Sequence, residues 1–210
     1  ISIKPSQELY YNLIESCIDG KMFNDAVKSI KQFELIYEQT AEIQRYKGII
    51  YNKKGNFDKA VKFFLNAIEM EPERADLYVD AGACYQILKD DRKSIEYYLK
   101  ALRIDPNIVE AHYNLGVIAY KSGDSKKAQI YFNKALALNK NIENIYYYQG
   151  LISYDEEDWS TSEKKFDKAI EYNSENIDAL LYKSMINENL NKFDKSIELY
   201  KKILDKAPRH

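Results

Sequence analysis

Residues 109–142 read VEAHYNLGVIAYKSGDSKKAQIYFNKALALNKNI, and the layout of this stretch recurs along the chain. Its glycine, Gly116, belongs to a series with Gly48, Gly82 and Gly150, each 34 residues from the next. With glycine set at position 8 of a 34-residue unit, the chain divides into six units, 7–40, 41–74, 75–108, 109–142, 143–176 and 177–210, behind a leader of residues 1–6. Other columns then align. Position 20 is small in every copy: Ala26, Ala60, Ser94, Ala128, Ser162 and Ser196. Position 24 is large in every copy: Ile30, Phe64, Tyr98, Phe132, Phe166 and Tyr200. Position 27 is alanine in the middle four, and position 32 carries Pro72, Pro106 and Pro208, where proline ends a helix and turns the chain.

These columns have one physical reading. Two helices that cross closely need residues without bulk at the contact, so glycine at 8 and alanine or serine at 20 let helix A and helix B of a unit approach while the large residue at 24 fills the space beside them. Only 7 Gly and 4 Pro occur among 210 residues, too few for many hairpins or long loops. An all-α protein follows. At position 17, Phe23, Phe57, Trp159 and Phe193 are expected in the A-to-B turn as an apolar lid. Ser6 and Thr40 are expected as helix N-caps, and Asn107 with Glu110 as a capping box.

The six-fold pattern resembles the tetratricopeptide repeat, a helix-turn-helix unit with small residues at 8, 20 and 27, aromatic residues at 11, 17 and 24, and proline at 32. The resemblance covers residues 7–210. Departures are Ile14 and Ser184 at position 8, Phe33 and Ile203 at position 27, and Glu38, Lys140 and Ser174 in place of proline. It implies an α-solenoid superhelix whose concave inner surface takes extended or helical peptides of a partner protein.

Composition narrows the rest. The chain is 45% hydrophobic and 30% charged, with 31 basic against 33 acidic residues and a net charge of −2. Collagen-like, disordered and disulfide-scaffold classes are excluded. A sequence pI near 5.9 without a Lys/Arg stripe argues against nucleic acid as a partner. No apolar run approaches the roughly 20 residues needed to span a bilayer. Because the chain opens on Ile1, an upstream targeting segment or anchor is expected; the compartment is expected to be the cytoplasm, or the periplasm or a membrane surface if such a segment directs it there. Cys17 and Cys84 fit no redox or metal spacing and are expected as buried, inert thiols. His112 stands in a packing column at position 4. With no triad, P-loop or zinc-helix motif, neither catalysis, nor a metal, nor a cofactor is expected.

On a helix turning about 100° per residue, positions 4, 7, 8 and 11 form a packing stripe, and 2, 5, 6, 9, 12 and 13 form another about 150° away that is expected to face solvent. In the fourth unit this second stripe carries Tyr113, Asn114, Val117 and Tyr120. In the fifth it carries Tyr147, Tyr148, Leu151 and Tyr154, and in the sixth Leu181, Tyr182 and Met185. By resemblance this is where a peptide would bind, with Asn114 placed to hold a peptide backbone amide. The competing reading is that the tyrosines pack on their own helix B. Units 2 and 3 are more polar, with Arg45, Tyr46, Asp80 and Gln86. Position 2 is acidic in five of six units (Glu8, Glu42, Asp76, Glu110, Asp178), which suits the positive end of a helix dipole and, alternatively, a groove for basic peptides. The family's clamp for chaperone tails is not matched. Two rival roles stay open: self-assembly through the sixth unit, where Ile197, Tyr200, Ile203 and Leu204 are expected to lack a cover unless a capping helix in the full-length protein supplies it, and recruitment of substrate to a larger enzyme.

Overall fold

The computed structural model describes residues 5–139 and 142–206. Pro208, Lys140, His210 and the leader up to residue 4 lie outside the described residues. Among the described residues the secondary structure is twelve α-helices and no strand: α1 (Gln7–Asp19), α2 (Phe23–Glu34), α3 (Ala41–Lys53), α4 (Phe57–Met70), α5 (Ala75–Ile87), α6 (Asp91–Ile104), α7 (Val109–Lys121), α8 (Ser125–Leu138), α9 (Glu143–Asp155), α10 (Trp159–Tyr172), α11 (Ile177–Asn189) and α12 (Phe193–Lys206). The protein is all-α. Odd-numbered helices are the A helices and even-numbered ones the B helices. The chain forms two compact units, Ile1–Ala111 and His112–His210, each built from antiparallel helix pairs.

Four of the six pairs are closed by the same steric fit. A Cβ added to Gly48 would lie 2.5 Å from the Phe64 ring, at Gly116 2.5 Å from Phe132, at Gly150 2.7 Å from Phe166 and at Gly82 3.0 Å from Tyr98. The rings at position 24 are thus seated on bare glycine backbone, and those four are buried to within 1%. Where position 8 has bulk, position 24 yields: Ile14 accompanies Ile30 in place of a ring, and Ser184 accompanies Tyr200, which is only half-buried. All six residues at position 20 are buried. At two of the three serines the position 8 carbonyl of the same pair satisfies the hydroxyl: Ser94 Oγ donates to Gly82 O (3.0 Å), and Ser162 Oγ to Gly150 O (2.9 Å).

The A-to-B turn is one backbone motif repeated six times. Position 15 has positive φ in every copy, with Gly55 (75°) and Gly123 (82°) but also Lys21 (57°), Lys89 (63°), Glu157 (58°) and Asn191 (56°). The next amide, at position 16, donates to the position 11 carbonyl at 2.7 to 2.9 Å, for instance Asp124 N to Ala119 O, which makes each turn a Schellman closure. In four copies that same residue then caps helix B: Asn56, Asp90, Asp124 and Asp158 each accept from the backbone amide three residues on. Met22 in the first copy makes no such bond.

Several expectations change. Phe23, Phe57, Trp159 and Phe193 open helix B instead of lying in the turn, because the turn closes at position 16, and Phe193 is 56% exposed. Ser6 and Thr40 do cap α1 and α3, each accepting at 3.2 Å. The Asn107 capping box does not form, since α7 begins one residue too late for it, and the Asn107 amide donates to Asp105 Oδ1 (2.9 Å). On α12, Ile197 (51%) and Leu204 (57%) are exposed as expected, whereas Ile203 is buried (7%) because position 27 turns toward α11, where Ile177 and Leu181 line the same groove.

Candidate functional site

The tyrosine stripe lies wholly in the second unit, and its rings are assembled by the helix pairs beneath them. At position 6, Tyr148 stacks on Phe132 of the preceding pair (centroids 5.6 Å, 17°) and Tyr182 stacks on Phe166 (5.5 Å, 14°). At position 5, Tyr113 and Tyr147 tilt against the ring of their own pair, Phe132 (6.4 Å) and Phe166 (5.9 Å). Phe132 and Phe166 therefore carry two tyrosines each. The tyrosines also meet one another edge to face: Tyr113 with Tyr148 (6.4 Å), Tyr120 with Tyr148 (5.5 Å), Tyr147 with Tyr148 (5.7 Å), Tyr147 with Tyr182 (6.3 Å), and Tyr154 with Tyr182 (5.1 Å). Trp159, which the stripe did not include, extends the set through Tyr154 (5.1 Å). Its signal in the sequence was the same position 17 column that suggested a lid.

All six tyrosines are half-buried. Burial pushes the Tyr113 and Tyr120 phenols up to about 12, with Asp155 adding to the effect on Tyr120, whose hydroxyl donates to Asp155 Oδ2 (3.3 Å). Burial likewise raises Tyr147 and Tyr148. These phenols stay protonated at neutral pH and present a neutral polar edge on an apolar body. Asn114 and Met185 are half-buried as well. Val117 and Leu151 correct the solvent-facing expectation: at 5% and 6% exposure they belong to the packing under the rings. Position 9 lies at the centre of its stripe, one helical turn from positions 5 and 12, whose larger tyrosine side chains flank it.

In the first unit the corresponding face is charged and self-paired. Arg45 Nε reaches Asp80 Oδ2 (2.8 Å) and Asp76 Oδ2 (3.4 Å), while Arg74 bonds Glu42 (2.6 Å) and Asp76 (2.9 Å). Two of the acidic residues at position 2, Glu42 and Asp76, are thereby occupied by arginines. Burial raises Asp80 against the pull of Arg45, and burial followed by the Asp80 charge raises Glu110. Cys17 and Cys84 are buried free thiols, the latter pushed up to about 12 by burial and by Asp80. His112 is buried beside Tyr131 (6.2 Å). Among the described residues there is no cluster of three or more His, Cys, Asp or Glu able to hold a metal, and no helix is long and apolar enough to cross a membrane.

Tetratricopeptide repeat family models match residues 47–74, 73–141 and 147–210. The chain belongs to the tetratricopeptide repeat family. No curated protein matches it in sequence. Among solved structures, this repeat array is similar to pilF of Pseudomonas aeruginosa (16% identity, 97% of this chain and 92% of that one, TM-score 0.87). It is also similar to PilW, described as a widely conserved type IV pilus biogenesis factor (20%, 98% and 96%, TM-score 0.83), and to YrrB, described as a TPR protein with an unusual peptide-binding site (22%, 86% and 92%, TM-score 0.67). At these identities the likeness is one of fold. Protein-protein interaction is the class of function that goes with the family.

Proposed function

We propose that this tetratricopeptide repeat chain is a protein-interaction scaffold, and that the aromatic face of residues 113–185 takes a peptide segment or helix of a partner protein. The observation that carries this reading is the tyrosine platform: six rings held against one another and against Phe132 and Phe166, every one of them half-buried. Such rings give a partner large contact area at little further loss of side-chain freedom, because packing already fixes their rotamers. The test is capture of partners on the wild-type chain, mapping of a captured partner to a short segment, and titration of that segment. A Tyr147→Ala, Tyr154→Ala variant that stays helical should lose most of its affinity for the segment. Unchanged affinity would move the site elsewhere.

A second reading is self-assembly through the last helix pair. Ile197 and Leu204 stand exposed on α12, and beside them Ile177, Leu181, Tyr200 and Ile203 line a groove of about 360 Å³. The occupant we infer for this face is a second copy of the chain. Light scattering over a concentration series should show association that Ile197→Glu, Leu204→Glu abolishes; a wild-type chain that stays monomeric throughout defeats it.

A further inference from the structure

The first unit has a groove that shares no residue with the tyrosine platform. It runs between α2 and α3, has a volume of about 360 Å³, and is lined by Asn24, Val27, Lys28 and Lys31 on one side and by Lys47, Ile50, Tyr51 and Lys54 on the other. In repeat coordinates these are positions 18, 21, 22 and 25 of one unit and 7, 10, 11 and 14 of the next. The chain supplies its own control, because the same eight positions recur at four later junctions. At the second they hold Asp58 and Lys62 as the charged residues, at the third Arg92 and Glu96, at the fourth Lys126 and Glu156, and at the fifth Glu163, Lys164, Asp167 and Lys183. Each of those four sets sums to zero, and the first sums to +4. Neither helix packing nor solubility demands four lysines here, since the same positions elsewhere do without them.

Two of the four have intramolecular partners. Lys28 pairs with Asp25 (2.9 Å), and Lys47 pairs with Glu34 while its ammonium lies over the Phe63 ring (5.7 Å). The Lys28 pair is well exposed at 74% and 55% of its side chains, so water screens it. Lys31 and Lys54 have no carboxylate within ion-pair distance among the described residues; Lys54 lies over the Phe23 ring (5.9 Å). A further ammonium, Lys59, sits over Tyr51 (5.4 Å) at the groove's edge. The floor is apolar: Ile50 is buried, and Val27 and Tyr51 are half-buried.

We propose that this groove is a docking site for an acidic segment of a partner protein, whose carboxylates meet Lys31 and Lys54 and whose apolar side chain rests on Val27 and Tyr51. Unpaired ammonium groups flanking an apolar floor fit alternating acidic and apolar side chains. They suit a phosphate backbone poorly, because the lysines are spread along two helices and the chain as a whole is negative. This inference does not depend on the tyrosine platform.

The experiment is fluorescence anisotropy of the full chain with a short labelled peptide of glutamate and leucine, against the same peptide with glutamine for glutamate. Binding to the acidic peptide should weaken with added salt, and the glutamine peptide should bind far less. The variant Lys31→Glu, Lys54→Glu changes two exposed residues and should weaken acidic-peptide binding by about tenfold or more, while Lys31→Arg, Lys54→Arg keeps it. Gain of affinity for a lysine and leucine peptide by the charge-reversed variant would show that it is folded and that the groove reads charge. Tyr147→Ala should leave acidic-peptide binding unchanged. Equal binding of both peptides, or of the acidic peptide to wild type and charge-reversed variant, overturns the proposal. So does preferential, lysine-dependent binding of phosphatidylserine vesicles or of an oligonucleotide in place of the peptide.

Discussion

Replacing Gly116 with alanine puts a methyl group where the structure leaves no room, and the consequence can be worked out. The added Cβ would lie 2.5 and 2.6 Å from two carbons of the Phe132 ring, which is itself fully buried and stacked from outside by Tyr148. The ring has no free direction in which to retreat, so the upper part of the overpacking range applies, about 2 to 3 kcal/mol. Alanine returns about 1 kcal/mol through its better helix propensity. The expected net loss is about 1 to 2 kcal/mol, or about 3 to 6 °C in melting temperature for a chain of this size. Gly82→Ala is the internal control, because its Cβ would meet Tyr98 at 3.0 Å, where a small ring shift suffices and the two effects roughly cancel. Thermal melts by circular dichroism of Gly48→Ala, Gly82→Ala, Gly116→Ala and Gly150→Ala should rank with Gly82 mildest and Gly48 and Gly116 worst. A double variant with Phe132→Ile, copying the Ile14 and Ile30 pairing, should show favourable coupling of about 1 kcal/mol. Equal losses at Gly82 and Gly116, or zero coupling, would refute the idea that bulk at 8 and a ring at 24 exclude each other.

Ala128→Leu, at a fully buried column, should destabilise the chain by about 1 to 2 kcal/mol more than Tyr120→Ala on the platform and so melt lower; the reverse order would show the faces exchanged. Lys89→Gly should raise stability by about 0.5 kcal/mol, since relief of the left-handed backbone exceeds the added freedom of the unfolded chain, and Gly123→Lys should lower it; chemical denaturation measures both. Cys84, buried with its thiol held at about 12, should resist iodoacetamide at pH 8 in the native chain and react at once in denaturant; fast native labelling would contradict its burial.

The fold was legible because the helix contacts mark the sequence with size. A small residue at 8 and 20 opposite a ring at 24 is a steric statement, and it survives even where serine replaces alanine, as Ser94 and Ser162 show by bonding the carbonyl of the glycine opposite. The turn was not legible. Positive φ at position 15 is a property of the backbone, and Lys21, Lys89 and Glu157 carry it without any side-chain signature. For the candidate site, angular position on a helix located the tyrosines but gave no depth: Val117 and Leu151 share the stripe and are buried by neighbours that a single helix cannot reveal. The acidic row at position 2 was read against the helix dipole, whereas Glu42 and Asp76 are held by Arg74, a residue at position 34 outside the stripe. The lysine groove, spelled out across two repeats, becomes visible only when α2 and α3 are placed side by side.

Every hydrogen bond that closes the A-to-B turn, from the position 11 carbonyl to the cap at position 16, falls inside a single repeat, as does the seating of the position 24 ring on position 8. A repeat thus carries its own instructions for folding back on itself and asks of its neighbour only a surface to lie against. Copy number is then a free variable in descent: a gene that gains or loses a 34-codon block by unequal crossing-over joins one intact hairpin to another. Selection can lengthen such an array first and differentiate its faces afterwards, with lysines in the first two copies and tyrosines in the last three.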